Sequence, residues 1–214
     1  MDGIKNSAGK PVLLKIVAAI QQNKDYLSEV DGLIGDGDHG MNMNKGFTMF
    51  ADRIKDKDIS FTGGLNELGD VLFSQIGGSM GPIYGTIFMN MAEAGSKLEK
   101  IDLNGFAAML NAGLSALQEV VQAQVGDKTL IDTLAPANEA VQKAAKEGRD
   151  FADALKEMKA AAEKGRDSTR ELAAKFGRSS RLGERSRGVL DAGSVSCCII
   201  LCTMADGILE QTGA

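Results

Sequence analysis

The chain has 214 residues, 43% of them hydrophobic, and a formal net charge of -5. That length supports one large domain or two small ones around a sizeable core, and the acidic balance argues against nucleic acid as the main partner. No apolar run is read as long enough to span a bilayer. The opening "MDGIKNSAGK" lacks the apolar core of a secretion signal, so no membrane association and a cytoplasmic location are expected.

Taken in chain order, the periodicity is helical nearly throughout. Leu13, Ile16, Val17 and Ile20 form one stripe, and Met43, Phe47, Phe50 and Ile54 a second. Leu65, Leu68, Leu72 and Ile76 form a third, followed by Ile83, Ile87 and Met91, then by Phe106, Leu110, Leu114, Leu117 and Val121. The Ala-, Lys- and Glu-rich stretch to Phe176 places Phe151, Leu155, Met158 and Ala162 on one face, and Val195, Ile199 and Thr203 continue the pattern. No segment alternates with period two. Pro11, Pro82 and Pro136 each read as a helix start. The expectation is one all-α domain over 1–214 with about eight helices. The three cysteines, Cys197, Cys198 and Cys202, do not suggest a disulfide framework or a zinc site and read as small core residues of a buried helix.

Many of the 26 glycines gather in three places: Gly32 to Gly46, Gly77 to Gly85 and Gly177 to Gly193. The first cluster carries Asp31, Asp36, Asp38, the only histidine (His39) and Asn42; the second carries Ser79; the third carries Arg178, Arg181, Arg185 and Arg187. A fourth polar turn, "GDKTLID", holds Asp127, Lys128, Thr129 and Asp132. Acids, hydroxyls, open backbone and arginines are the parts of a metal–phosphate site, because glycine admits an anion close to backbone N–H groups at helix starts. Three converging carboxylates repel one another unless a cation joins them, and Mg2+ suits a few carboxylates plus phosphate oxygens. The bland reading is that these acids are solvated turn and cap residues.

Three familiar motifs do not apply. "GDGDHG" spells G-x-G-x-x-G, but it follows a helical stripe and its carboxylates would repel a pyrophosphate. An EF-hand counted from Asp36 would need an acid where Phe47 stands. No G-x-x-x-x-G-K-[ST] sequence is present.

"IGDGDHGMNMNKGF", "GGSMGPIYGT", "GDKTLID" and "GRSSRLGERSRG", in that order, resemble the L subunits of dihydroxyacetone kinases. The resemblance covers about Ile16 to Ala205. It implies a barrel of about eight amphipathic, antiparallel helices with a nucleotide site at one end. It also implies ADP/ATP and two Mg2+ ions as cofactors, with Asp31, Asp36 and Asp38 as metal ligands. His39, Gly40, Met41 and Asn42 would contact the nucleotide, Ser79 and Met80 would grip phosphates, and Thr129 and Leu130 would line the pocket. Arg178 would contact phosphate, with Asp36 and Arg178 central to transfer, and Asp191, Ala192 and Gly193 would lie near the nucleoside. The implied partners are a substrate-binding K subunit and a phosphohistidine M subunit that recharges bound ADP; a homodimer is left open.

His39 has three readings: a nucleotide contact, a polar residue at a helix opening near Asn42, or a phosphohistidine carrier. The resemblance favours the first. Met80 stands where the family usually has a second hydroxyl, Arg181 where an aromatic is common, and Val189 to Gly193 replaces a more polar segment. Those departures admit a paralogue serving another small sugar. Two other classes stay open: a metal-dependent phosphohydrolase, and a non-catalytic nucleotide-binding regulatory module.

Overall fold

The computed structural model describes residues 3–213. Nine α-helices are present among them: α1 (Lys10–Gln22), α2 (Lys24–Gly32), α3 (His39–Ile54), α4 (Phe61–Gln75), α5 (Met80–Gly95), α6 (Leu103–Val120), α7 (Ile131–Lys146), α8 (Phe151–Ser168) and α9 (Ala192–Thr212). The predicted stripes of α1, α3, α4, α6 and α8 are buried, except that Val121 lies just past α6 and is only partly so. Neighbour packing runs from α3 through α9 in order, then to α1 and back to α3, which closes a ring of eight; α2 packs on α3 and α9. The fold is all-α, as expected.

Three details depart from the sequence reading. A two-residue antiparallel pair, β1 (Ile4–Lys5) with β2 (Lys100–Ile101), ties the N-terminus beside α6. It is too short to show a period of two. Pro136 lies inside α7 rather than at its start, because the turn before it, from Ile131, is already helical; it removes the N–H that would bond Asp132 O. The third departure is α9, which is long and apolar enough to cross a membrane by length and composition, contrary to the expected lack of such a run. Its apolar run is masked by Ser, Cys, Thr and Gly. The predicted stripe is also only part of its contact surface: Cys198, Ile200, Leu201, Met204, Ala205 and Ile208 are all buried, while Ile199 and Thr203 are only partly so. A helix apolar nearly all round suits a position packed on α1, α7, α8 and α2.

The helix starts differ by end of the ring. At one end α4, α6 and α8 are capped by side chains: Ser60 accepts from Gly63 N at 3.0 Å, Asp102 from Gly105 N at 2.8 Å and Asp150 from Ala152 N at 2.8 Å. The starts of α3, α5 and α7 have no side-chain cap. Those starts line the cavity described next, together with that of α9, which Asp191 caps; the first N–H of α3 is taken by Asp31, and those of α7 by Thr129 and Leu130.

Candidate functional site

A cavity of about 350 Å³ opens at this end, lined by the acidic loop, Gly77 to Met80, the turn around Lys128 to Ile131, Phe176 to Ser179, and Asp191 to Gly193. Four helix starts, those of α3, α5, α7 and α9, therefore meet at one space. Each brings the positive end of its dipole, which favours an anion there.

The acidic loop is shaped by its glycines. Asp31 belongs to the last turn of α2, not to the loop itself, and the chain doubles back on it. Gly35 N donates to Asp31 O at 2.6 Å, and a Cβ on Gly35 would collide with Asp31 Oδ1. Gly37 has φ 78°, a conformation few other residues adopt without strain. The result brings one carboxylate oxygen from each of Asp31, Asp36 and Asp38 within 4.8 Å of one another. Three hard oxygen donors this close fit a divalent cation such as Mg2+.

His39 starts α3 directly, three residues earlier than the opening expected near Asn42. Its backbone N–H donates to Asp31 Oδ2 at 3.3 Å, and its Nε2 meets Ser196 Oγ at 2.8 Å. Ser196 Oγ also meets Tyr84 OH at 2.7 Å, and Tyr84 OH donates to Gly193 O at 3.2 Å. Burial lowers the His39 pKa, with the Asp31 carboxylate opposing. The ring is thus tied by Nε2 into a buried relay between α3, α5 and α9.

Of the other predicted positions, Asn42, Ser79, Met80, Thr129, Leu130, Arg178, Asp191, Ala192 and Gly193 line the cavity with Asp31, Asp36, Asp38 and His39. Gly40 and Met41 do not. Gly40 is pressed against α2, where a Cβ would collide with Lys24 O, and the Met41 side chain is exposed. Arg178 Nη1 pairs with Asp36 Oδ2, whereas Arg181 and Arg185 are exposed outside the cavity. Gly177 (φ 69°) and Gly183 (φ 53°) turn this arginine segment, whose 3-10 helix runs Arg178–Ser186.

Lys128 was seen in the sequence only as part of a polar turn. It is the one non-glycine residue with positive φ (61°) among the described residues and is 1% exposed. Its Nζ donates to Thr169 O and Val189 O, both at 2.5 Å. Desolvation lowers its pKa, with Asp191 opposing. It thereby staples the "GDKT" turn to the end of α8 and to the segment after the arginines. Asp132 holds the same turn from α7, accepting from Gly126 N at 2.6 Å and Thr129 N at 2.7 Å. Asp191 caps α9 by accepting from Ser194 N at 2.7 Å, and burial raises its pKa to about 6. Tyr84 and Ser196 were likewise missed, since only the fold brings them to His39.

Comparison with known proteins shows the family and the fold. The DAK2 domain family matches residues 33–206. The ADP-binding subunit DhaL of PEP-dependent dihydroxyacetone kinase 1 from Listeria innocua is 37% identical over 186 residues, covering 86% of this chain and 88% of that protein. The ADP-binding subunit DhaL of the Escherichia coli PEP-dependent dihydroxyacetone kinase is 35% identical, covering 85% and 87%. The crystal structure of the C. freundii dihydroxyacetone kinase in complex with AMP-PNP and Mg2+ shares the fold, with a TM-score of 0.72 at 18% identity. This chain is covered to 96% in that match but spans only 35% of that kinase. A match of this extent, over loops and helices alike, shows that the chain belongs to the DAK2 domain family and resembles its ADP-binding dihydroxyacetone kinase subunits over most of its length.

Proposed function

We propose that this chain is the single-domain, cytoplasmic ADP-binding subunit of a phosphoenolpyruvate-dependent dihydroxyacetone kinase. In this reading a phosphohistidine M subunit recharges the bound ADP, and the γ-phosphoryl passes to dihydroxyacetone held on a K subunit. The observation that carries it is one cavity lined both by three clustered carboxylates and by the starts of α5, α7 and α9. Carboxylates hold cations and helix starts hold anions, so the cavity suits a cation–phosphate ligand rather than either alone.

Mg2+, when bound, would neutralise the charge spread over a transferring phosphoryl group. Asp31, Asp36 and Asp38 would hold such ions. The backbone N–H groups at Ser79 and Met80 would hold phosphate oxygens without the hydroxyl that Met80 lacks. Arg178 offers a fork of donors to phosphate. Ile83, Val121, Ala123, Leu130 and Phe176 form an apolar wall on which a base can lie. The Tyr84–Ser196 relay fixes the His39 ring beside the acidic loop.

Intact-complex mass spectrometry of freshly purified protein tests the reading. One ADP and two Mg2+ per chain are expected, both lost in Asp36→Asn. Phosphoryl transfer to dihydroxyacetone should require added K and M subunits. Absence of any nucleotide complex at millimolar ADP–Mg2+, or full turnover by the isolated chain with ATP, would overturn it.

A further inference from the structure

The three cysteines take no part in the nucleotide cavity, and two of them meet. Cys198 and Cys202 lie one helical turn apart on α9, and their Sγ atoms are 3.8 Å apart. Both are free thiols; Cys198 is buried and Cys202 is partly exposed. Cys197, adjacent in sequence, is buried and points elsewhere, toward the Tyr84 side of the interior.

Two basic side chains of α8 flank the pair, each in an ion pair of its own. Arg166, at the end of α8, places Nη1 3.7 Å from Cys198 Sγ. Lys159, two turns earlier on α8, pairs with Asp206 beside Cys202. Glu163 and Asp167 are the acids that face the pair from the same helix, and Asp167 pairs with Arg166 at 2.8 Å. A guanidinium beside a thiol favours the thiolate, the form that binds soft ions. The thiols thus sit in the α8–α9 seam, mostly dry, with an opening at Cys202.

A disulfide does not fit here. Residues four apart on a helix hold their Cβ atoms about 5–6 Å apart, and a disulfide needs about 3.5–4.5 Å. Closing one would unwind a turn of α9 in the middle of the barrel. A bridging atom needs no such change. With sulfur bonds of about 2.3 Å, as for zinc, sulfurs 3.8 Å apart subtend about 110° at the bridge. No third His, Cys, Asp or Glu completes a metal-ligand group around them among the described residues, which disfavours zinc and favours a centre satisfied by two thiolates.

We propose that Cys198 and Cys202 form a two-thiolate binding site for soft, thiophilic centres of the trivalent arsenical class. Capture by an arsenoxide is a condensation: two As–S bonds form, and both thiol protons leave with the oxide oxygen as one water. Arsenic stays trivalent, so no oxidant or reductant is needed. The site is independent of the nucleotide reading, because neither cysteine lines that cavity.

The test uses phenylarsine oxide and the full chain under native conditions. Mass spectrometry should show one equivalent bound to the wild type and to Cys197→Ser, and none to Cys198→Ser or Cys202→Ser. The adduct should be removed by 2,3-dimercaptopropanol but survive a monothiol at the same concentration. In the wild type, which raises no question of folding, the adduct should protect Cys198 and Cys202 from iodoacetamide, read by peptide mapping. No adduct on the folded wild type, retention by Cys202→Ser, or protection that maps to Cys197 would each overturn the assignment.

Discussion

Arg178 reaches from the arginine segment to Asp36 of the acidic loop, guanidinium against carboxylate, so two of the glycine-rich segments meet at the cavity mouth. Mg2+ on Asp36 and a phosphate on Arg178 would exchange this pair for two others. Metal and nucleotide binding would be coupled by that exchange, since each ligand would release the residue that the other one needs.

Arg178→Ala should therefore separate affinity from stability. The pair is largely exposed, with side chains 60% and 34% accessible, and such pairs contribute roughly 0–1 kcal/mol. The melting temperature without nucleotide should barely move. Loss of charge-assisted hydrogen bonds to phosphate costs about 1.5–3 kcal/mol, which is roughly a 10- to 150-fold weaker Kd for ADP–Mg2+ by calorimetry. Unchanged affinity would remove Arg178 from the phosphate site.

Chelation should act on the loops and spare the barrel. A ligand at a thousandfold excess over its Kd stabilises the native state by about 4 kcal/mol, or roughly 8–16 °C for a chain of this size. Removing Mg2+ and ADP should lower the melting temperature by that order. Hydrogen exchange should rise in 32–43 and 177–193, and stay level in α6. Uniform change along the chain would show that these segments do not share a ligand.

Lys128→Met should damage both stability and binding. It leaves the Val189 carbonyl without its donor, while Thr169 O keeps Leu172 N–H at 3.3 Å. Urea unfolding should show a loss of roughly 1–3 kcal/mol, as for one unsatisfied group, and ADP affinity should fall because the segment leading to Asp191 loses its anchor. Lys128→Arg should rescue stability only in part, since a planar fork replaces a point donor in a tight space.

Asp191 sets a pH dependence. Its folded pKa is about 6 against an ordinary 3.8, through burial. Between those values the folded state holds a proton that the unfolded chain has released, so stability falls as pH rises from about 4 to 6. The full effect is on the order of 3 kcal/mol at 1.36 kcal/mol per unit. Asp191→Asn keeps a capping oxygen and should remove this slope, read as the difference between the two proteins' urea midpoints across that range. Parallel curves would show that the carboxyl is not held protonated.

Most helices were legible because their apolar residues recur on one buried face, as Met43, Phe47, Phe50 and Ile54 do. Local chemistry marked the site as well: the acids sit within one short stretch, and the glycines that bend it are beside them. Long-range relations were not legible. Ser196 meets His39 from 157 positions away, and nothing local distinguishes it from any other helical serine. Lys128 read only as one member of a polar turn, since its burial depends on carbonyls delivered by α8 and the segment after Arg187. Met41 lay in the right motif but on the outer face, because α3 begins at His39 and its first turn rotates that side chain away.

Pro136 gives Asp132 a carbonyl without its helical donor, and that carbonyl faces Gly165 of α8 so closely that a Cβ there would run into it. The same Asp132 holds the Gly126–Thr129 turn with its side chain. An absent hydrogen at 136 and an absent methyl at 165 thus set the gauge between two helices. Widening that gauge by one carbon would carry the floor of the cavity with it, though neither residue touches the space itself.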